Sequence, residues 1–245
     1  MKIALIGYGK MGKTIHALAS QKGHTITCTI DNQEEWNNSC KPLGEVADVA
    51  IEFSIPEAAT QNILRCFKEN IPVVCGTTGW LHDLDMVTEA CNKANGTLIY
   101  APNFSPGVNL FFSLNEWMGK LMNKFSDYDT SIEEIHHTQK LDAPSGTAIH
   151  LANKLIEEME RLKKWVPAEE ASEDLSELPV FSERIEDVTG IHTVTWESEI
   201  DQIQIRHTAK NRSGFAYGAV LSAEWIHKNR KTGVFPFQKI LFNAF

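Results

Sequence analysis

Residues 2–12 read Lys2-Ile3-Ala4-Leu5-Ile6-Gly7-Tyr8-Gly9-Lys10-Met11-Gly12, and this stretch decides the fold. Ile3 to Ile6 form a short unbroken apolar run of the kind that fills a strand buried on both faces. It stops at glycines spaced G-x-G-x-x-G, after which Met11, Ile15, Leu18 and Ala19 recur at helical spacing. The order is strand, glycine turn, helix. In that setting the glycines allow a tight turn and let a pyrophosphate approach the free N–H groups of the helix start. The spacing alone is a weak signal. Between a buried strand and a helix it predicts a dinucleotide site made by Gly7, Tyr8, Gly9, Lys10, Met11 and Gly12.

A second strand over residues 25–30 ends at Asp31, 19 positions after Gly12. An acid there accepts hydrogen bonds from adenosine ribose hydroxyls, which favours NADH, and Asn32 follows where an arginine would suit a 2′-phosphate. Lys10 or Lys13 can still reach such a phosphate, so the expected cofactor is NADH or NADPH, with NADH slightly favoured. The alternation then repeats: a strand over 48–53 ending at Phe53, a helix from Pro56 to Asn70, a strand over 72–75, a helix over 81–95 and a strand over 97–101. Such alternation predicts an α/β domain, a Rossmann-type doubly wound parallel sheet. The loops Gly76-Thr77-Thr78-Gly79 and Ala101-Pro102-Asn103-Phe104 fall at strand carboxyl ends, where these sheets bind ligands. Phe104 is a candidate to pack on a nicotinamide ring, although an aromatic beside a turn is more often core packing.

From Val108 the pattern changes to a long helix, ending near Phe125, and then a Thr- and Ile-rich strand over 130–138. The strand leads into Glu133-Glu134-Ile135-His136-His137-Thr138-Gln139-Lys140-Leu141-Asp142-Ala143-Pro144-Ser145-Gly146-Thr147-Ala148. Strand alternation puts His136, Thr138 and, if the strand persists, Lys140 on one face, with His137 opposite. Ser145 has the character of an N-cap, so Gly146 and Thr147 would present N–H groups to a carboxylate or phosphate at the positive end of a helix over 146–164. A paired histidine on a strand is more often structural than catalytic. Here the case rests on the combination of a proton donor with an anion clamp.

The region 166–188 is rich in acids, has Arg184 as its one base, and reads as a solvated loop or an oligomer contact. Strands over 192–197 and 202–208 follow, and a helix opened by Asn211-Arg212-Ser213 returns toward the first domain. The expected organisation is a dinucleotide-binding domain over 1–104 and 212–245, with an α+β mixed-sheet domain for substrate and oligomerisation over 105–211.

The chain has 245 residues, 42% hydrophobic and 22% charged, with a formal net charge of −9. These values are those of a soluble globular protein and argue against nucleic acid or an anionic membrane as partner. No apolar run approaches the ~20 residues of a membrane span. Five cysteines, an odd number with no CxxC pair, suit a reducing, cytoplasmic compartment and provide no nucleophile or metal site. No metal is expected.

Together these motifs resemble the 4-hydroxy-tetrahydrodipicolinate reductase (dihydrodipicolinate reductase) family, along the whole chain. The most specific match is Glu134 through Ala148. Gly76 to Gly79, Asn103-Phe104-Ser105 with Gly107-Val108-Asn109, and Ala209 through Arg212 support it. The resemblance implies reduction of a cyclic dicarboxylate by NADH or NADPH in the diaminopimelate route of lysine biosynthesis, by a homotetramer. It implies His136 as proton donor with Lys140 as its partner, and His137, Ser145, Gly146 and Thr147 at the substrate, with Arg212 a weaker candidate there. It further implies Gly7 to Gly12, Asp31, Phe53, Gly76, Thr77, Thr78, Ala101, Pro102, Asn103 and Phe104 at the cofactor. Many members have one more residue and an arginine in the glycine loop, and an arginine after the strand-two acid; this chain has Lys10 and Asn32. Two other readings are a related two-domain reductase of an amino-acid semialdehyde and a non-catalytic dinucleotide sensor. The former lacks a nucleophilic cysteine, and the latter has no use for a proton donor.

Overall fold

The structure is a computed structural model that describes residues 1–37, 41–211 and 213–243. Its chain order is β1 (Lys2–Ile6), α1 (Lys10–Gln21), β2 (Thr25–Ile30), α2 (Gln33–Asn37), α3 (Leu43–Val46), β3 (Val49–Glu52), α4 (Pro56–Lys68), β4 (Val73–Cys75), α5 (Leu84–Lys93) and β5 (Thr97–Tyr100). There follow α6 (Pro106–Met122), β6 (Asp129–His136), α7 (Gly146–Glu158), β7 (Lys164–Pro167), β8 (Glu177–Arg184), β9 (Ile191–Glu197), β10 (Gln202–Thr208), α8 (Ser213–Asn229), β11 (Gly233–Pro236) and α9 (Phe237–Asn243). The chain forms two compact units, one of Met1–Pro106 with Ser213–Phe245 and one of Gly107–Arg212.

In the first unit six strands lie in the order β11-β5-β4-β3-β1-β2, every neighbour parallel. Side chains alternate along each strand, so both faces of the sheet are apolar. Ile3, Leu5, Val49 and Ile51 pack with Ile15 and Ala19 of α1 and Ala216, Ala219 and Ala223 of α8. Ala4, Ile6 and Ala50 face the other way, onto Ile63 and Phe67 of α4 and Val87 of α5. Strand order reverses between β1 and β3, which places the ligand crevice of such a sheet outside their carboxyl ends.

The second unit is a five-stranded mixed sheet, β10-β9-β6-β8-β7. β6 is antiparallel to β9 and parallel to β8. Phe111 and Met122 of α6 and Ala148, Leu151 and Leu155 of α7 cover one face, against Ile132, Leu178, Val180, Val194 and Trp196.

Three expectations are corrected. The β6 strand ends at His136, and a turn closed by Lys140 N–H donating to the His137 carbonyl follows, so Thr138 and Lys140 do not continue its face. Helix α7 stops at Glu158 rather than 164. The region 166–188 is no open loop: β8 sits inside the sheet, with Leu178 and Val180 buried. Its Pro179 pairs with Val166 of β7 ahead of the β6 ladder, which begins at Val180, so the missing N–H does not interrupt that ladder.

Candidate active site

Strand β6 buries every second residue, Thr130, Ile132, Glu134 and His136. An apolar run would be ordinary there; an acid and an imidazole are not. Register adds a third polar group, because His192 of β9 is the cross-strand partner of Glu134. Directly opposed residues of an antiparallel pair share a face, with Cβ atoms roughly 5 Å apart. Glu134 is 0% exposed, His192 5% and His136 8%.

The Glu134 carboxylate is the hub. One oxygen accepts from the Ser145 backbone N–H at 3.0 Å and from Arg184 Nη2 at 3.1 Å. The other lies 3.1 Å from His136 Nδ1 and 3.7 Å from His192 Nε2. The His136 approach has ion-pair distance without the alignment of a hydrogen bond, and both atoms lack another partner among the described residues. Burial alone would raise the Glu134 pKa. The contacts with His136 and Ser145 outweigh it and hold the carboxyl well below the usual carboxylate range. His192 goes the other way: burial, then the neighbouring His136 charge, push it down to about 3, so it is a neutral imidazole. Its Nε2 is 3.1 Å from Ser145 Oγ.

Ser145 caps α7 as expected, its hydroxyl accepting from the Ala148 N–H. Fully engaged and 2% exposed, it positions the helix start rather than facing a ligand. Gly146 is exposed and Thr147 half-buried, and as first-turn residues they carry N–H groups with no helical acceptor. Lys140 turns its ammonium to both oxygens of Asp142 at 2.8 Å. His137 is half-buried, with Nδ1 unpartnered among the described residues. Arg184, the strand neighbour of His136 on β8, donates to the carbonyls of Lys140 and Asp142 and so straps the 137–142 turn to the sheet. Gly190 leaves room for the histidine: a Cβ there would stand 3.1 Å from His136 Nε2. Arg212 lies outside the described residues.

The first unit carries the nucleotide features. Gly7 has φ +87°, and a Cβ on it would meet the Phe53 carbonyl oxygen at 2.0 Å; on Gly12 it would meet the Gly7 oxygen at 2.2 Å. Over Gly9, the cap residue of α1, the same position is open space within 4 Å. Two glycines are thus required by packing, and the third leaves open the approach a pyrophosphate needs. Asp31 accepts from the Tyr8 N–H at 2.7 Å. Gly7, Gly9, Asp31, Asn32, Phe53 and Ser54 line one pocket outside the carboxyl ends of β1 to β3. Lys10 is exposed and Met11 half-buried at the first turn of α1, while the Tyr8 hydroxyl bonds His16 Nδ1 at 2.7 Å. The Phe53 ring lies where a Cβ on Gly76 would be, and Thr77 Oγ1 accepts from the Ser54 N–H at 2.8 Å. Thr78 and Pro102 are exposed, Ala101 is buried and Asn103 half-buried.

Phe104 departs from its expected role. It is 1% exposed and packs on Phe53 and Phe237, ring centroids 5.9 and 4.9 Å away, so its ring belongs to the core and only its backbone is left to face a ligand.

Family models agree with this arrangement over nearly the whole chain. Residues 1–104 match the dihydrodipicolinate reductase N-terminus and residues 107–241 its C-terminus. The chain belongs to the dihydrodipicolinate reductase family. A 4-hydroxy-tetrahydrodipicolinate reductase from Christiangramia forsetii is 50% identical over 245 residues, covering 100% of this chain and 99% of the relative. One from Thermosipho africanus is 34% identical with full coverage of both. A solved dipicolinate-bound dihydrodipicolinate reductase from Paenisporosarcina sp. TG-14 has the same fold, with TM-score 0.78 at 22% identity over 99% of this chain and 98% of that one. The first unit of this reductase is therefore a nicotinamide-dinucleotide domain of that family.

Sequence reading missed Glu134, Arg184, Gly190 and His192 as parts of the site. His192 carried a signal: with Val194 and Trp196 it forms the inward face of β9, and a histidine in an otherwise apolar alternation needs a buried partner.

Proposed function

We propose that this reductase converts 4-hydroxy-tetrahydrodipicolinate to tetrahydrodipicolinate with NADH or NADPH, in the diaminopimelate route of lysine biosynthesis, with His136 as the proton donor. The observation that carries the reading is the buried, ionised Glu134 set 3.1 Å from His136 Nδ1 and tied through the Ser145 N–H to an anion-receptive helix start.

When bound, the dinucleotide supplies a hydride. Overall, one hydride and one proton add and the 4-hydroxyl leaves as water, so the protein must deliver a proton to the electron pair left on a conjugated imine. With Nδ1 turned to Glu134, His136 keeps Nε2 as the proton-carrying atom, on the side kept clear by Gly190. Glu134 stays an anion throughout and compensates the imidazolium. The substrate carboxylates are met by the N–H groups of Gly146 and Thr147, by His137 and by Lys140, whose present partner Asp142 a dicarboxylate would replace. The loops at the carboxyl ends of β1 to β5 hold the cofactor, and Asp31 followed by Asn32 gives NADH the slight preference.

We also propose that the chain assembles as a homotetramer in the cytoplasm. Leu110, Leu114, Trp117 and Leu121, spaced to lie along one side of α6, are 38 to 57% exposed, an apolar stripe that self-association would cover. All four described cysteines are free thiols, which suits a reducing compartment.

The test is oxidation of NADH and of NADPH in the presence of substrate made by condensing pyruvate with aspartate semialdehyde. Enzyme-dependent oxidation, faster with NADH, is expected. A folded protein that binds both dinucleotides and oxidises neither refutes the reading.

A further inference from the structure

We propose that Glu134, His136 and His192 form a binding site for a divalent ion of the zinc class, and that filling it switches the enzyme off. The sheet builds the site. Glu134 and His136 are two apart on β6, and His192 is opposite Glu134 on β9, so register alone brings a carboxylate and two imidazoles to one buried face. The donor atoms, Glu134 Oε2, His136 Nδ1 and His192 Nε2, all lie within 4.8 Å of one another.

Zn–N and Zn–O bonds of ~2.0–2.2 Å in a tetrahedron put neighbouring donors roughly 3.3–3.6 Å apart. The observed Glu134 separations, 3.1 Å to His136 and 3.7 Å to His192, bracket that value. Two of the three atoms, Glu134 Oε2 and His136 Nδ1, are buried without a hydrogen-bond partner among the described residues. They meet each other at 3.1 Å as an ion pair without hydrogen-bond alignment, an arrangement that an ion set between them would complete.

Chemistry selects the ion. Two imidazoles and one carboxylate are a donor set that zinc takes, whereas Mg2+ and Ca2+ prefer oxygen donors alone. The Ser145 N–H and Arg184 Nη2 fix the other Glu134 oxygen, as supporting groups do around metal ligands. An ion on His136 Nδ1 consumes the Glu134 charge and locks the imidazole, so proton delivery stops. This inhibitory half rests on the role proposed for His136; the binding half does not.

The experiment titrates chelator-treated full-length protein with Co2+ and with Zn2+. Expected are one ion per chain, the visible absorption of four- or five-coordinate Co2+, a raised Tm, and loss of dinucleotide oxidation that EDTA reverses and Mg2+ does not mimic. His192→Phe, and His192→Asn as a second variant should the first misfold, are expected to weaken Co2+ binding by at least ~100-fold. An unchanged Co2+ spectrum in a folded His192 variant, or no stoichiometric binding to the wild type, overturns the site. Full occupation with undiminished turnover overturns the inhibitory half. Binding by a protein that has no reductase activity would leave the site standing and refute the proposed function instead.

Discussion

Replacing Glu134 by glutamine removes one charge and almost no volume at the point where four elements of the site meet. The wild-type carboxylate is fully buried and serves the Ser145 N–H at 3.0 Å, Arg184 Nη2 at 3.1 Å and His136 Nδ1 at 3.1 Å. The glutamine oxygen can still accept from Ser145 and Arg184, but as a neutral group. Hydrogen bonds to charged groups contribute about 1.5–3 kcal/mol against about 0.5–1.5 for neutral ones, so the Ser145 bond weakens by roughly 1–1.5 kcal/mol, while the Arg184 bond stays charge-assisted through its guanidinium and loses less. The Arg184 side chain is 20% exposed, which lets water compensate part of its lost counter-charge and keeps the cost from rising further. The amide NH2 then faces His136 Nδ1, and the protonated imidazole loses its anion. Turnover should fall by about 10²-fold, the scale of a lost general acid. Urea unfolding gives the stability change, and dinucleotide oxidation with direct cofactor titration separates turnover from binding. A variant within twofold of the wild-type rate, with unchanged stability, would show that the carboxylate neither orients nor charges His136.

Arg184→Ala releases the 137–142 turn and takes one donor from Glu134; steady-state kinetics should show KM for the dicarboxylate rising about tenfold, ~1.4 kcal/mol, with a smaller change in kcat. The depressed pKa of His192, about 3 in the fold against ~6.5 unfolded, means that the unfolded chain binds the extra proton, so stability is present above pH ~6.5 and is lost as pH falls toward 3. At pH ~5 the loss is on the order of 2 kcal/mol, and His192→Asn should unfold with that much less acid sensitivity in denaturant titrations; an equal slope for both proteins would refute the assignment. Gly7→Ala places a Cβ 2.0 Å from the Phe53 carbonyl at φ +87°, and calorimetric titration should find dinucleotide affinity lost while the mixed sheet retains its own unfolding transition.

The first unit was legible because its signals are local. Apolar runs, glycines at fixed spacing and an acid at the end of the second strand each sit within a few residues of the feature they specify, and β2 and β10 fall on the expected residues. What escaped was set by tertiary pairing. Strand β8 hides its two inward residues, Leu178 and Val180, among Glu177, Pro179 and Glu183, a composition that reads as solvated until β6 and β7 flank it. Residues 233–243 carry no distinct local pattern, and only pairing with β5 and packing under α8 make them strand and helix. The site followed the same division. His136, Lys140 and the Ser145 cap are contiguous, whereas Glu134 becomes a hub only through His192 and Arg184, which lie 58 and 50 positions further on. Phe104 shows the reverse error, an aromatic beside a ligand loop whose ring fills the core because Gly218 lets the backbone come close.

The most direct test of the account is the steady-state rate of His136→Gln, measured by dinucleotide oxidation with substrate formed in situ, beside its cofactor affinity by titration. Loss of the proton donor should lower turnover by about 10² or more and leave cofactor binding unchanged. Wild-type turnover in the folded variant would contradict it.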